Sequence, residues 1–309
     1  MRNIPKEMGQ ILDERIVSKM KCKFLILFLA AALAALLYPP LASATSILGT
    51  AESFAVLAGT PNITNTGSTT ITGNVGIYPA ASITGTGSIT LTGAYHEADA
   101  TALTAKNDLS TAYTALNNMP ASQTLTNAQL AGVTLPSGVY AFSGSPAAVL
   151  LDGTLTLNAN YKNNAYWVFQ IPYALTTGVL SSVVVENFGS HGGKDDGVFW
   201  VVGSSAGIFA STSFEGNILA YASINLYNSA TILNGRALAE TGEVTMDTNT
   251  IKNVCPNGGL GYSGGLEYNS AGAIVPIGPS SPVPEPSTMI LLGSGLAGLA
   301  AFRKRFKKA

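Results

Sequence analysis

Three consecutive stretches align without a gap: GVFWVVGSSAGIFASTSFE (197–215), GNILAYASINLYNSATILN (216–234) and GRALAETGEVTMDTNTIKN (235–253). Their leading glycines, Gly197, Gly216 and Gly235, recur every nineteen residues. Apolar positions coincide, Phe199 with Ile218 and Ala237, and Trp200 with Leu219 and Leu238. Runs of Val, Ile, Thr and aromatics broken by Gly, Asn and Asp read as short strands. A period near twenty with strand composition predicts the coils of a β-solenoid, each too small to bury a core alone. TLTLNANY (154–161) and AYWVFQI (165–171) read as earlier, less regular coils.

Stacked coils place equivalent residues ~4.8 Å apart, and residues i and i+2 of a strand ~6.6 Å apart. The nineteen-residue alignment therefore predicts ranks: Thr212, Thr231 and Thr250 at one offset, and Ala210, Ser229 and Thr248 two residues earlier. Ser211, Ala230 and Asn249 lie between them. Upstream, TGSTTITGNVGIYPAASITGTGSITLTG (66–93) carries no charge. Alternation sets Ile71, Val75 and Ile77 against Thr70, Thr72 and Asn74. In the same way Ile83, Ile89 and Leu91 oppose Thr84, Thr86, Ser88, Thr90 and Thr92. One side is apolar and the other is hydroxyls.

One segment breaks the strand pattern. From about 94 to 118, Ala98, Ala102, Ala105, Leu109, Ala112 and Leu116 recur at helical spacing before Pro120, which predicts one long amphipathic α-helix. His96 stands at its start and reads as a packing or capping residue.

The chain has 309 residues. Between Thr45 and Pro282 it holds five basic residues (Lys106, Lys162, Lys194, Arg236 and Lys252) against thirteen acids, a net charge of −8. Phosphate binding needs a basic face, so nucleic acid is not an expected partner. Two cysteines, Cys22 and Cys255, leave no internal disulfide if the leader is removed. Residues 191–196, HGGKDD, carry carboxylates but follow no calcium-loop spacing. Two GxGxxG matches, at Gly259–Gly264 and Gly293–Gly298, lack the preceding strand and following helix of a dinucleotide site. No repeated Asp or Glu pair at coil spacing suggests a polysaccharide-processing enzyme. No catalytic group, cofactor or metal is expected.

The ends predict export. Residues 1–44 read as a signal-peptide region, with Met20 as an alternative start, an apolar run from Phe24 to Leu37, and cleavage after Ala44. A Gly/Pro/Ser-rich linker is expected over 256–283. Residues 284–309 then carry Pro284-Glu285-Pro286, a short apolar helix and a basic end. This order resembles the PEP-CTERM sorting signal of Gram-negative bacteria. The resemblance implies handling by an exosortase, membrane contact through that helix before processing, and delivery to the cell surface or extracellular matrix, or release.

LGTAESFAVLAG (48–59), TTITGNVGIYP (69–79), HEADATALTAKNDLSTAYTAL (96–116), LPSGVYAF (135–142), AYWVFQI (165–171), GVFWVVGSSA (197–206) and NGRALAETGEVTMDTNTI (234–251) together resemble the microbial ice-binding protein family. The resemblance implies a discontinuous three-faced β-solenoid over 45–255 with a long helix alongside. It also implies adsorption to ice through one flat face, often bearing Thr-Ala/Gly-X-Thr/Asn motifs, a pattern that Thr66-Gly67-Ser68-Thr69 fits. The candidate ice contacts are Thr66, Ser68, Thr69, Ala210, Thr212, Ser229, Ala230, Thr231, Thr248 and Thr250. Phe209, Tyr227 and Glu243 depart from the pattern: a bulky ring pointing outward would spoil the flatness of the face, one pointing inward would be ordinary core, and Glu243 sits among small residues. The rival reading is a structural or adhesive matrix protein that uses the same fold without ice affinity.

Overall fold

The computed structural model describes residues 46–144, 148–254 and 261–277. The signal-peptide and sorting-signal readings, with Met20, Cys22, Ala44, Cys255 and Pro284–Pro286, lie outside those residues.

The chain winds a path of short strands that repeats coil by coil, and the strands of that path pair in parallel with their counterparts in the next coil. Each coil contributes to three faces. The coil beginning at residue 54 runs Phe54–Ala58 on face 1, Ile63–Thr66 on face 2 and Thr69–Thr72 on face 3. The longer strands Ser213–Ala220 and Thr231–Ala239 bend round the corner from face 3 to face 1, joining those two faces into one 15-stranded sheet. Face 2 is a separate 7-stranded sheet.

The stack is not in sequence order. The coils of residues 54–97 come first in the chain, yet Phe54–Ala58 pairs with Thr231–Ala239, Ile63–Thr66 with Val244–Asp247, and Thr69–Thr72 with Thr250–Lys252. The first coils thus sit on the last ones. Helix α1 (Ala100–Asn117) spans the stack to bring the chain from one end to the other. It is shorter than the expected 94–118. Asp99 caps it by accepting the Ala102 N–H at 2.8 Å, and the Tyr95–Glu97 segment pairs as a strand with Asn74–Ile77 instead. His96 holds the cap: its Nδ1 lies 2.8 Å from Asp99 and its ring packs edge-on against Phe54 at 5.4 Å. The Ala102 N–H, and then His96, hold the Asp99 carboxyl below the usual range.

Face 1 is buried on both sides, which is why its strands read as continuous apolar runs such as GVFWVV. Inward lies an aromatic ladder: Tyr140, Phe169 and Trp200 occupy consecutive rungs, with Phe169 and Trp200 stacked at 4.1 Å. Outward, Leu57, Val168, Phe199, Val201, Leu219 and Leu238 pack against Ala105, Leu109, Ala112 and Leu116 of α1. Lys106 is buried in the same interface and donates from Nζ to the carbonyl oxygens of Ala239 (2.6 Å) and Glu240.

Residues 261–277 belong to the fold and are not linker. Leu266–Tyr268 and Ile274–Pro276 form an antiparallel hairpin, and Leu266 and Ile274 join the helix-side core. Before the hairpin, the chain is welded to the corner between faces 3 and 1 by buried Arg236. Its guanidinium donates to Asn217 Oδ1 (2.7 Å), Gly261 O (2.9 Å) and Glu52 O (2.9 Å). The planar fork matches acceptors from distant parts of the chain, the Asn253 carbonyl oxygen at 3.3 Å among them.

Candidate functional site

With α1 covering face 1, the two remaining faces decide what the solenoid can present. On face 3 the outward positions at one register are Thr154, Ser182, Ser213, Thr231, Thr250, Thr70 and Thr90, paired rung by rung. Seven consecutive coils therefore show a hydroxyl at the same place, all partly or fully exposed. Two residues before this rank, at the corner from face 2, stand Ser211, Ser229 and Thr248, exposed and in left-handed conformation with φ of 57°, 60° and 57°. Their N–H groups form a ladder, Ser211 to Asn228, Ser229 to Asp247 and Thr248 to Thr66. Small polar residues tolerate this turn far better than bulky ones.

The predicted ranks are right in kind but one coil is out of register. Ser213, not Thr212, pairs with Thr231, and Trp200, not Phe199, pairs with Ile218. The separation is eighteen residues at these pairs and nineteen between Thr231 and Thr250. An irregularity between Glu215 and Asn217, opposite Leu233 and Arg236, takes up the difference. The Ala210 rank shifts to Ser211 for the same reason.

Three expected contacts lie inside. Thr212, Ala230 and Thr69 are 1 % exposed. They belong to an internal corner ladder whose polar members saturate turn groups. Thr212 Oγ1 donates to Gly178 O at 3.0 Å and meets Thr177 Oγ1 at 3.0 Å. Thr69 Oγ1 donates to Asn65 Oδ1 at 2.6 Å, and Asn249 Nδ2 donates to Tyr227 O and Ala230 O, each at 2.9 Å. A buried corner carbonyl needs a donor, and a β-branched hydroxyl or an amide supplies it without leaving the strand path. Thr231 and Thr250 lie on face 3, Ser229, Thr248, Thr66 and Ser68 on the exposed edge, and Ala210 is half-buried beside them. Sequence reasoning missed Thr70, Thr90, Thr154, Ser182 and Ser213 as members of the rank. The uncharged 66–93 stretch was the only signal for two of them.

Face 2 is also mostly small. One outward rank reads Thr84, Thr64, Thr245, Asn225, Gly207, Thr176 and Leu150. Phe209 and Tyr227 turn outward at its edge, their rings stacked at 4.5 Å, so the feared loss of flatness falls on face 2. In the 191–196 loop, His191 Nδ1 lies 2.8 Å from Asp195 Oδ2, which also accepts the Asn164 N–H at 2.9 Å. Asp196 is fully buried and accepts the Ala165 N–H at 2.8 Å. Among the described residues no three His, Cys, Asp or Glu side chains gather as a metal site. Nor is any described helix long and apolar enough to cross a membrane; the tail helix expected near 288–302 lies outside the described residues. Of the Gly259–Gly264 match, the described part, Gly261–Gly264, runs past the Arg236 weld toward the hairpin with no helix after it.

A parallel three-faced solenoid with one face under a helix and another ranked with hydroxyls defines a class of protein that presents a repeating, regularly spaced surface. The chain belongs to the family described as Ice-binding-like, whose profile matches residues 56–252. Residues 282–305 match the PEP-CTERM protein-sorting motif. An ice-binding protein of Nostoc sp. (strain HG1) is 39 % identical over 269 residues, 86 % of this chain and 90 % of its own length. Among solved structures, an ice-binding protein from the Antarctic ascomycete Antarctomyces psychrotrophicus superposes with a TM-score of 0.61 at 38 % identity, over 66 % of this chain and 96 % of that one. One from an Antarctic biological consortium gives 0.60 at 34 % identity, over 70 % and 93 %.

Proposed function

We propose that this chain is an exported, non-catalytic protein that adsorbs to ice through face 3 and its edge with face 2, and so restrains ice growth and recrystallisation. The observation that carries the choice of surface is the unbroken seven-hydroxyl rank from Thr154 to Thr90, flanked by Ser211, Ser229 and Thr248. Coil spacing of ~4.8 Å and strand spacing of ~6.6 Å give a two-dimensional grid. Threonine brings a hydroxyl and a methyl on a stem already stiff at χ1, so ordering it costs little entropy. Hydroxyls bond to neighbouring water while methyls leave it ordered, and mobile charged heads are scarce on the rank. The PEP-CTERM match supports export, exosortase-type sorting and a position at the cell surface or matrix, from which the protein would hold cells at ice or protect brine pockets.

Thermal hysteresis and recrystallisation inhibition by the purified chain test this reading. Activity that falls in Thr231→Tyr and Thr250→Tyr, with the fold intact by circular dichroism, is the expected result. The small rank on face 2 favours a second reading, in which Thr245→Tyr abolishes activity and the face 3 variants do not. No activity at high micromolar protein leaves the structural or adhesive matrix role.

A further inference from the structure

One coil closes the stack on all three faces. Ile83–Thr84 on face 2, Ile89–Thr92 on face 3 and Tyr95–Glu97 on face 1 each pair, among the described residues, on one side only. No residue in 78–101 is buried. Ile83, Ile89 and Leu91 pack against the core of the coil beneath, yet each stays partly exposed. The opposite end is finished differently. There Leu130 donates its N–H to Leu150 O at 2.8 Å, against the edge strand Ala148–Leu151, and is 1 % exposed, so an irregular segment plugs the core.

A solenoid end ordinarily carries a polar cap, and a sheet edge is guarded by charge, proline or a bulge. The coil of residues 83–97 has almost none of this. Residues 53–96 hold no Lys, Arg, Asp or Glu, and Glu97 is the one charge on the three edge strands. None of the three contains proline, and their register with the coil beneath is unbroken. An added single strand would satisfy one edge and leave two. A second three-faced end satisfies all three at once, and an identical uncharged end meets no like charge across the contact. A two-fold axis through face 3 lays Ile89–Thr92 antiparallel to its own copy. With Thr90 opposite Thr90, Ile89 falls opposite Leu91, and the pleat keeps both apolar side chains inward. We propose that the chain self-associates end to end through this coil, as a two-fold dimer in which face 3 and its hydroxyl rank run on from one copy into the other.

The association needs no ice, so its test stands apart from the reading of face 3. Sedimentation velocity of the purified full chain over a micromolar concentration series, without ice, should show a monomer–dimer equilibrium. Thr90 is exposed, and Thr90→Lys would bring two ammonium groups together across the axis; it should raise the dissociation constant about tenfold. On oxidation Thr90→Cys should form a disulfide-linked dimer beyond whatever Cys22 and Cys255 give in the parent, since opposed residues of an antiparallel pair lie within bridging distance. Thr154→Cys, also exposed but at the far end of the rank, should not. A monomer at every concentration overturns the proposal. So does a dimer that Thr90→Lys leaves intact, or cross-linking that Thr154→Cys matches, because association then runs through another part of the chain.

Discussion

Thr250 and Thr70, 180 residues apart in the chain, are direct partners across adjacent parallel strands of face 3. The pairing joins the last coil to be made to the first, and it carries the hydroxyl rank across the break in chain order. Thr70→Tyr is therefore expected to reduce ice adsorption as much as Thr250→Tyr does, by roughly tenfold, or ~1.4 kcal/mol. Thermal hysteresis measured against concentration for both variants checks this. A Thr70→Tyr protein of full activity would remove the N-terminal coils from the surface.

Thr212 should behave in the opposite way. Its hydroxyl is buried between Thr177 and Gly178. Thr212→Ala strips a donor from the half-buried Gly178 carbonyl and removes the buried contact with Thr177, for about 1 kcal/mol of lost stability. Urea denaturation should show that loss, while thermal hysteresis per folded molecule stays at the parent value.

Burial above all, with Asp195 adding to it, pushes the Asp196 carboxyl up to about 7 against the opposing Ala165 N–H and His191. The unfolded group releases its proton near 3.8, so between pH 4 and 7 the native state binds more protons than the unfolded one. The contribution of Asp196 to stability is then full below about pH 4 and is lost as pH rises through 7. Asp196→Asn keeps the acceptor for Ala165 and abolishes this slope. Unfolding free energies of the two proteins across that range, subtracted from one another, should show a difference that grows in favour of the variant as pH rises.

Leu180 occupies the same corner position as Ser211, with φ of 60° and 75 % of its surface exposed. A leucine held there pays the left-handed penalty without burying its side chain. Leu180→Asn is expected to stabilise the fold by about 1 kcal/mol, read as a higher midpoint in thermal unfolding. Ser211→Leu, the reverse change one coil along, should lower it.

Much of the architecture was legible in the residues. The repeat from Gly197 announced coils, and the Ala/Leu stripe announced one helix. Gly235 explains why glycine leads its repeat: a Cβ there would meet the Gly216 carbonyl oxygen at 1.9 Å. Register was not legible, because an extra residue at the 233–236 irregularity is absorbed locally and leaves no mark in composition. Nor was the hairpin at 266–276 apparent, since short Gly-rich segments read as linker unless the core that receives Leu266 and Ile274 is known.

By itself the sequence determined that short strands would coil, that one long amphipathic helix would interrupt them near 94–118, and that charge would be kept off a Thr-rich surface. These are local properties of period and composition. Only the tertiary structure decided which threonines face water. Thr231 and Thr212 are alike in sequence context, yet one lies on the surface and the other in a corner, because a one-residue slip exchanges inside and outside along a strand. The tertiary structure also decided that the 66–93 stretch completes a lattice begun 180 residues later. That follows from stacking the first coils on the last, a contact between ends of the chain that no local pattern encodes.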